Sequence, residues 1–275
     1  SSDLPTEGMT QARLGELMTG HLLEETVGAR DMSAAPVVFE ARGLTVPGEF
    51  ENVDLQIRQG EIVGLIGLLG AGRTELAHAM MGMSTPTSGS MTLRGQPYEP
   101  ASIRAAIDAG MAYVSEDRLQ LGLHQKQSIE DNGAIAVLDT LLDKFGLISP
   151  VQKHDLILGW VKKLGIKIGV PENAISTLSG GNQQKVVIAK WLATGPKLLI
   201  LDSPTVGVDV GARAGIFRIA RDLAEQGLAI LLITDEVTEA LYNSDRVLHM
   251  AHGRIVGEFD PRTTSVHAME EAIYE

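Results

Sequence analysis

Gly67-Leu68-Leu69-Gly70-Ala71-Gly72-Arg73-Thr74 is the stretch on which the fold turns. The apolar run Ile62-Val63-Gly64-Leu65-Ile66 precedes it and has the texture of a buried parallel strand. Glu75-Leu76-Ala77-His78-Ala79-Met80-Met81 follows and reads as a helix. Strand, glycine-rich turn and helix form the setting of a phosphate-binding loop. The glycines let backbone N–H groups turn inward around an anion, and the helix N-terminus adds partial positive charge. The pattern G-x-x-x-x-G-K-[ST] is met at Gly67, Gly72 and Thr74, with Arg73 in the lysine position. Arginine keeps the charge, but its planar fork is bulkier than an ammonium and need not reach the same phosphate oxygens. Taken alone, the loop also fits a strand–helix turn that binds nothing.

Alternation of strand and helix continues on both sides of the loop. Upstream, Val37-Val38-Phe39-Glu40-Ala41 and Val53-Asp54-Leu55-Gln56-Ile57 alternate as half-buried antiparallel strands do. Residues 1–35 read as a leader, with a short amphipathic helix over 10–18 and otherwise the character of a flexible terminus. Downstream, Pro86 to Ser90 reads as a turn, Met91-Thr92-Leu93 as a strand, and 103–107 as a helix. Met111-Ala112-Tyr113-Val114 is a buried strand ending at Ser115-Glu116-Asp117-Arg118. A mostly helical block follows, with Leu138, Leu141 and Leu142 on one apolar face and Leu156, Trp160, Val161 and Leu164 on another. It interrupts the alternation, so an inserted helical subdomain is expected over about 126–185. Then come a helix over 183–193, the strand Leu198-Leu199-Ile200-Leu201 closed by Asp202, a helix over 212–225, a strand over 229–233 and a helix over 236–242. A hairpin about Ala251-His252-Gly253 ends the pattern. The expected fold is therefore α/β: a P-loop core of mixed sheet with helices on both faces, N-terminal antiparallel strands, and the helical insertion.

Composition narrows the function. The 275 residues suffice for a substantial core, and 44% hydrophobic content is ordinary for a globular chain. A net charge of −12 argues against a nucleic-acid partner, which requires clustered Lys and Arg. The absence of cysteine fits a reducing compartment only weakly. No apolar run is long enough to span a bilayer, so any membrane role is expected to be peripheral and to act through a partner.

Two further segments carry chemistry. Asp202, at the end of an apolar strand, suits a magnesium ion held opposite the Thr74 hydroxyl; its bland alternative is a turn-capping aspartate. Leu178-Ser179-Gly180-Gly181-Asn182-Gln183-Gln184-Lys185 places a hydroxyl and free N–H groups before a helix, a second anion site or, more blandly, an N-cap. One nucleotide does not need two cradles, whereas two chains, or two halves, facing head to tail would use both.

With these motifs in order, the chain resembles the ATP-binding cassettes of ABC transporters. Residues 67–74 resemble the Walker A loop, 198–202 the Walker B strand, 178–185 the signature sequence, and Val206-Gly207-Val208-Asp209 the D-loop. The signature spelling is similar to that of bacterial monosaccharide importers of the ribose, galactose and arabinose type, whose ATPase subunit carries two cassettes in tandem. Gly-Ala-Gly-Arg-Thr-Glu-Leu, Ser-Glu-Asp-Arg and Gly-Val-Asp-Val-Gly-Ala-Arg look like the second of these, and the leader near Leu14 to Gly20 like the tail of the first. The resemblance runs from about Val37 to Phe259. It implies ATP bound by Gly67, Leu68, Leu69, Gly70, Ala71, Gly72, Arg73 and Thr74, with Mg2+ at Thr74 and Asp202. It also implies that Leu178, Ser179, Gly180, Gly181, Asn182 and Gln183 act in trans on the nucleotide of a second cassette, on the same polypeptide or a dimer mate. Membrane permease subunits would be touched by the helical insertion and the loop at Glu116, and an extracytoplasmic sugar-binding protein would be an indirect partner. The implied location is the cytoplasmic face of the bacterial inner membrane. The resemblance implies adenine stacked on an aromatic residue in the loop of the first strands, but Gly48-Glu49-Phe50 is short and offers only Phe50, which also fits the core, so little aromatic stacking is expected.

Several positions depart from that pattern. Arg73 replaces the loop lysine. Ser203 stands where the family has its catalytic glutamate, Asp235 where it has the switch histidine, and Glu116 at the Q-loop glutamine, where second cassettes of this type also carry an acid. The expectation is a Walker site that binds nucleotide better than it hydrolyses it, beside a complete signature. A non-hydrolysing regulatory module and a soluble cassette working on DNA or ribosomes are the alternatives. ATP turnover separates the first, and salt-dependent nucleic-acid binding the second.

Overall fold

The computed structural model describes residues 28–274. The helix expected near residues 10–18, and the remainder of the leader before residue 28, lie outside the described residues.

Among the described residues, ten strands fall into two sheets. β1 (Val37–Val46), β2 (Phe50–Arg58), β4 (Ser88–Leu93) and β5 (Gln96–Pro97) form an antiparallel sheet in the order β2-β1-β4-β5. The second sheet runs β10-β9-β3-β8-β7-β6, from β3 (Ile62–Ile66), β6 (Met111–Val114), β7 (Leu198–Asp202), β8 (Ala229–Thr234), β9 (Arg246–Ala251) and β10 (Arg254–Phe259). Its pairs β9–β3, β3–β8, β8–β7 and β7–β6 are parallel, and β10 returns antiparallel on β9. The sheet is thus mixed, as expected, and its central strands β3, β7 and β8 are buried along their whole length.

Helices cover this sheet. They are α1 (Arg73–Met80), α2 (Ile103–Ala109), α3 (Ile129–Ala134), α4 (Pro150–Leu164), α5 (Gly180–Leu192), α6 (Val210–Glu225), α7 (Val237–Asn243) and α8 (Val266–Tyr274). One hydrophobic cluster joins the antiparallel sheet to α1 and one face of the parallel sheet, through Phe39, Leu65, Leu76, Met80 and Ile200. A second cluster joins the opposite face to α3, α4, α5 and α6, through Ile129, Ile157, Val187, Leu199 and Ile216. A third seats α7 and α8 against Ile66 and Val247, through Leu241, Met269 and Ile273.

Several expectations are corrected. Ser88-Gly89-Ser90, read as a turn, is the start of β4, because it pairs with Arg42 and Thr45 of β1. β1 and β2 are longer than their alternating stretches, since β-bulges restart the pairing where alternation breaks. The helical block is less helical than expected: after α3 comes a 3-10 segment over Ile135–Leu141, and 165–179 carries only the short 3-10 turn Ile175–Thr177. Leu142 lies outside the apolar face expected for it and is 46% exposed, whereas Leu141 is buried. α5 starts at Gly180, three residues before the sequence suggests. The poor helix propensity of Gly180 and Gly181 concealed that start. α8 was not anticipated at all.

The last leader residues are anchored rather than loose. Arg30 donates from its backbone N–H and its guanidinium to Asp245, and from Nη2 to the Gly60 carbonyl (2.6 Å). Burial alone would raise the Asp245 pKa; bonds from Arg30 and the Ile62 N–H, with the charge of Arg221, bring it below the usual carboxylate range.

Candidate nucleotide site

The site lies at the C-terminal ends of β3, β7 and β8, where open parallel sheets present ligand-binding crevices. The loop 67–74 leaves β3 and enters α1, with Leu69 98% exposed at its tip. Two glycines are required by their surroundings. A Cβ on Gly67 would stand 2.2 Å from the Met250 carbonyl oxygen. Gly72 has φ +100°, a conformation few side chains accept, and a Cβ there would lie 2.9 Å from the Glu49 carbonyl oxygen. The β9–β10 hairpin holds the loop from outside, since the Gly253 N–H donates to the Ala71 carbonyl (3.0 Å). Gly72 provides no side-chain cap for α1, so the first N–H groups of the helix lack a side-chain acceptor. A glycine-forced turn opening on an uncapped helix N-terminus suits a phosphate.

Asp202 stands opposite and is 1% exposed. Its Oδ2 accepts from Thr74 Oγ1 (3.0 Å) and Tyr113 OH (2.9 Å), while its buried Oδ1 has no partner. Burial raises the Asp202 pKa, partly opposed by the bonds from Tyr113 and Thr74 and by the charge of Arg73. A hydroxyl and a buried carboxylate with one oxygen free form a hard-oxygen donor set that fits magnesium. The fold brings Thr74 and Asp202 within hydrogen-bond distance of each other.

Arg73 does not turn into the loop. Its Nη1 donates to the Thr234 carbonyl (2.5 Å) at the end of β8. Burial lowers its pKa, opposed by Asp235, Asp202, Glu116 and Glu75, so these four carboxylates share its field. Glu116 and Asp235 are exposed. Ser203 is half-buried, directly after β7, with φ 45° and its N–H donating to the Ile233 carbonyl (2.8 Å). The structure therefore gathers Thr74, Arg73, Asp202, Ser203, Asp235 and Glu116 about one sheet edge. Phe50 is excluded as a stacking surface: it is 3% exposed, inside the hydrophobic cluster under β2.

The signature segment lies apart, sharing no hydrogen bond with the 67–74 loop among the described residues. Ser179 is exposed at the N-cap position of α5 but makes no capping bond; its Oγ accepts from Asn182 Nδ2 (3.0 Å). Asn182 Oδ1 accepts from the Lys167 N–H (2.9 Å), and Gln183 Nε2 donates to the Ile175 and Leu178 carbonyls. The glycines also serve packing within the chain. A Cβ on Gly180 would lie 2.9 Å from the Gly207 oxygen, and one on Gly181 2.4 Å from Ala212 Cβ. In the 206–209 turn, Asp209 caps α6 by accepting from the Ala212 N–H (3.0 Å).

Sequence reading missed Tyr113, Arg118 and Glu239. Glu239 is buried and accepts from Thr205 and Thr234 Oγ1 at 2.6 and 2.9 Å, bracing the ends of β7 and β8. Tyr113 is brought to Asp202 by the pairing of β6 with β7, in which it stands opposite Ile200; nothing local marks Glu239. A cavity of about 1000 Å³ lies away from the loop, between the antiparallel sheet and the β9–β10 hairpin, and its lining includes Arg30, Gln56, Arg246 and Glu258. Glu130, His154 and Glu172 bring possible ligand atoms together, but Lys153 already pairs with Glu130 (3.0 Å) and Asp131 (2.6 Å), so this group is a salt-bridge network.

Comparison with known proteins agrees with this geometry. Residues 50–206 match the ABC transporter family. Ribose import ATP-binding protein RbsA 2 of Streptomyces avermitilis is 42% identical over 272 residues, 99% of this chain and 53% of its own length. The Bacillus subtilis ribose import ATP-binding protein RbsA is 41% identical over 89% of this chain and 50% of its own. The chain thus spans about half the length of the curated relatives it matches. Among solved structures, cbiO1 from Clostridium perfringens, part of the ABC transporter complex cbiONQ, superposes with TM-score 0.72 at 21% identity over 87% of this chain and 94% of its own. The dimeric bacterial cassette MJ0796 gives 0.68 at 21% identity over 82% of this chain and 100% of its own. With its phosphate-loop geometry, its paired Thr74 and Asp202 and this match, the chain belongs to the ABC transporter family of ATP-binding cassettes.

Proposed function

We propose that this chain is the second ATP-binding cassette of a bacterial sugar importer, which binds Mg-ATP in a weakly hydrolysing site and lends its signature to a competent partner cassette. The observation that carries the reading is the contrast between two sites. The Walker edge has Ser203, Asp235 and a diverted Arg73 where a hydrolytic site needs a base, a histidine and a loop cation. The signature end is complete and leaves the Ser179 hydroxyl free of capping duty. The relatives named for ribose import are about twice as long, as a tandem of cassettes would be. Residues 36–275 would form the cassette, with a helical subdomain over about 126–185, and residues 1–35 would lead in from the preceding cassette.

Each residue then has a role. The N–H groups of 67–74 and the α1 N-terminus cradle the phosphates. Thr74 and Asp202 would hold Mg2+, which neutralises phosphate charge when bound. Arg73 is drawn toward Thr234 and stands among carboxylates, so it supplies diffuse positive charge rather than a loop contact. Ser203 has no carboxylate with which to orient water. A permease would dock on the helical side. There, a groove of about 420 Å³ is lined by residues including His124, Ile135, Leu138, Ile148 and Lys153, and Leu119, Leu121, Phe145 and Leu147 are exposed nearby in sequence. No described helix is long and apolar enough to cross a membrane, which is consistent with peripheral attachment at the cytoplasmic face through that permease. The sugar would be recognised elsewhere, by the permease and an extracytoplasmic binding protein.

Steady-state ATP hydrolysis tests the reading. The unmodified chain should turn over poorly. Ser203→Glu should raise turnover about 10-fold or less when a partner signature is supplied, because a carboxylate beside Asp202 can orient the attacking water while Arg73 and Asp235 stay unchanged. Robust magnesium-dependent turnover by the unmodified chain alone would rule out the degenerate-site assignment.

A further inference from the structure

Residues Arg118–Gly122 form a single π-helical turn, two residues after Glu116. Buried cations pin both of its ends. Arg118 is 7% exposed, and its guanidinium donates from Nη1 to the Val206 carbonyl (3.3 Å) and from Nη2 to the Gly207 carbonyl (3.1 Å). Its buried Nε has no partner. At the other end the Gly122 carbonyl accepts from Lys190 Nζ (2.7 Å) on α5. Neither cation pairs with a carboxylate among the described residues. A buried guanidinium that meets only carbonyls is expensive to desolvate. Between the pinned ends, Leu119 and Leu121 face outward, 54% and 74% exposed.

The same guanidinium also touches the signature end. A Cβ on Gly180 would lie 3.3 Å from Arg118 Nη2 as well as 2.9 Å from the Gly207 oxygen. One side chain thus joins the exposed turn after β6, the 206–209 turn and the first residue of α5. Lysine could not span this junction, because its ammonium is a point donor where the planar fork reaches two successive carbonyls.

We propose that Arg118 is a positioning residue: it transmits a partner's contact on the 118–122 turn to the 206–209 turn and the Gly180 end of α5, and so sets this chain's signature for the partner nucleotide. The proposal rests on the transporter-cassette reading above. The partner surface is an apolar one, meeting Leu119 and Leu121, and the permease is the component that supplies it.

Two measurements test this. In the isolated chain, hydrogen exchange at the Val208 and Gln183 amides, bonded to the Thr205 and Ser179 carbonyls, should quicken on the order of ten-fold in both Arg118→Lys and Arg118→Met, while β3 and β8 stay protected. In the full tandem protein reconstituted with its permease, the ratio of permease-stimulated to basal ATP turnover should fall about ten-fold in Arg118→Lys. Leu119→Ser/Leu121→Ser, at exposed positions, should lose the stimulation without quickening exchange in the isolated chain. Should Arg118→Met not fold, the lysine variant decides. Exchange unchanged from wild type in Arg118→Lys, or full stimulation in that variant, overturns the proposal. Should the wild-type protein show no stimulation, the transport reading fails, and the exchange measurement still decides whether Arg118 links the two turns.

Discussion

Asp202→Asn should abolish most magnesium-dependent nucleotide binding and at the same time stabilise the ligand-free protein. The two effects have one cause. Asp202 is 1% exposed, with Thr74 and Tyr113 donating to one oxygen and nothing to the other, and burial holds its pKa above the usual carboxylate range. Between the unperturbed pKa of 3.8 and the raised folded value, the native state holds more protons than the unfolded chain. Stability therefore falls as pH rises through that window, and the full cost is present above the folded pKa. An amide escapes this cost, so the ligand-free variant should gain thermal stability at pH 7, and the gain should vanish below the unperturbed carboxylate pKa. Mg-ATP affinity should drop about 10–100-fold, the range for lost groups around a metal. Thr74→Ala provides the contrast: it should weaken Mg-ATP binding too, but should not stabilise, because it strips a hydrogen bond from a buried carboxylate. Calorimetric titration and thermal unfolding of both variants read these signs. Unchanged Mg-ATP affinity in the two variants would remove Thr74 and Asp202 from the site.

Much of this site was legible in the chain because its chemistry is local. The glycines at 67 and 72, the apolar run before them and the carboxylate closing β7 are all set by close backbone approach or strand burial, and both leave marks in short stretches of sequence. The strand–helix alternation was equally plain, since buried parallel strands are short continuous apolar runs. What was missed is non-local or masked. Arg118 meets carbonyls 88 and 89 positions away, and no pattern around it distinguishes a buried guanidinium from a surface one. The true start of α5 was hidden by two glycines that are poor helix formers, kept by the crowding of Gly207 and Ala212. Phe50 fits either a stacking platform or the core when read from the chain, and the bulged pairing of β1 with β2 turns its ring into the core. Arg73 occupied the expected position, but its preference for the Thr234 carbonyl depends on β8, which only the fold brings alongside.

Ser179→Arg in the full tandem protein with its permease should eliminate transport and nearly all ATP turnover while leaving this chain's fold and its own nucleotide affinity in place. Ser179 is exposed, and its hydroxyl provides no N-terminal cap; its one side-chain bond is accepted from Asn182, itself at the surface end of α5. Replacing it therefore removes no buried interaction, and the helix start remains fixed by Gln183 N–H on the Ser179 carbonyl (2.9 Å) and by the fit of Gly180 and Gly181 against Gly207 and Ala212. The cost of folding should stay within about 1 kcal/mol, as for most exposed substitutions. The phosphate loop is held by different neighbours, the β9–β10 hairpin and the end of β8, so Mg-ATP affinity at 67–74 should change less than about two-fold. The effect falls on the partner. If α5 presents a hydroxyl, free N–H groups and a helix N-terminus to the γ-phosphate held by a second cassette, a bulky guanidinium at that point blocks closure and removes donors preorganised for the transferring group, a loss worth about 100–1,000-fold in turnover. A role confined to helix initiation predicts the opposite pattern: a destabilised chain with turnover lost only in proportion to unfolding. Circular dichroism, calorimetric ATP titration and vesicle uptake on the same preparation separate the two, and retained transport in a folded Ser179→Arg protein would refute the shared site.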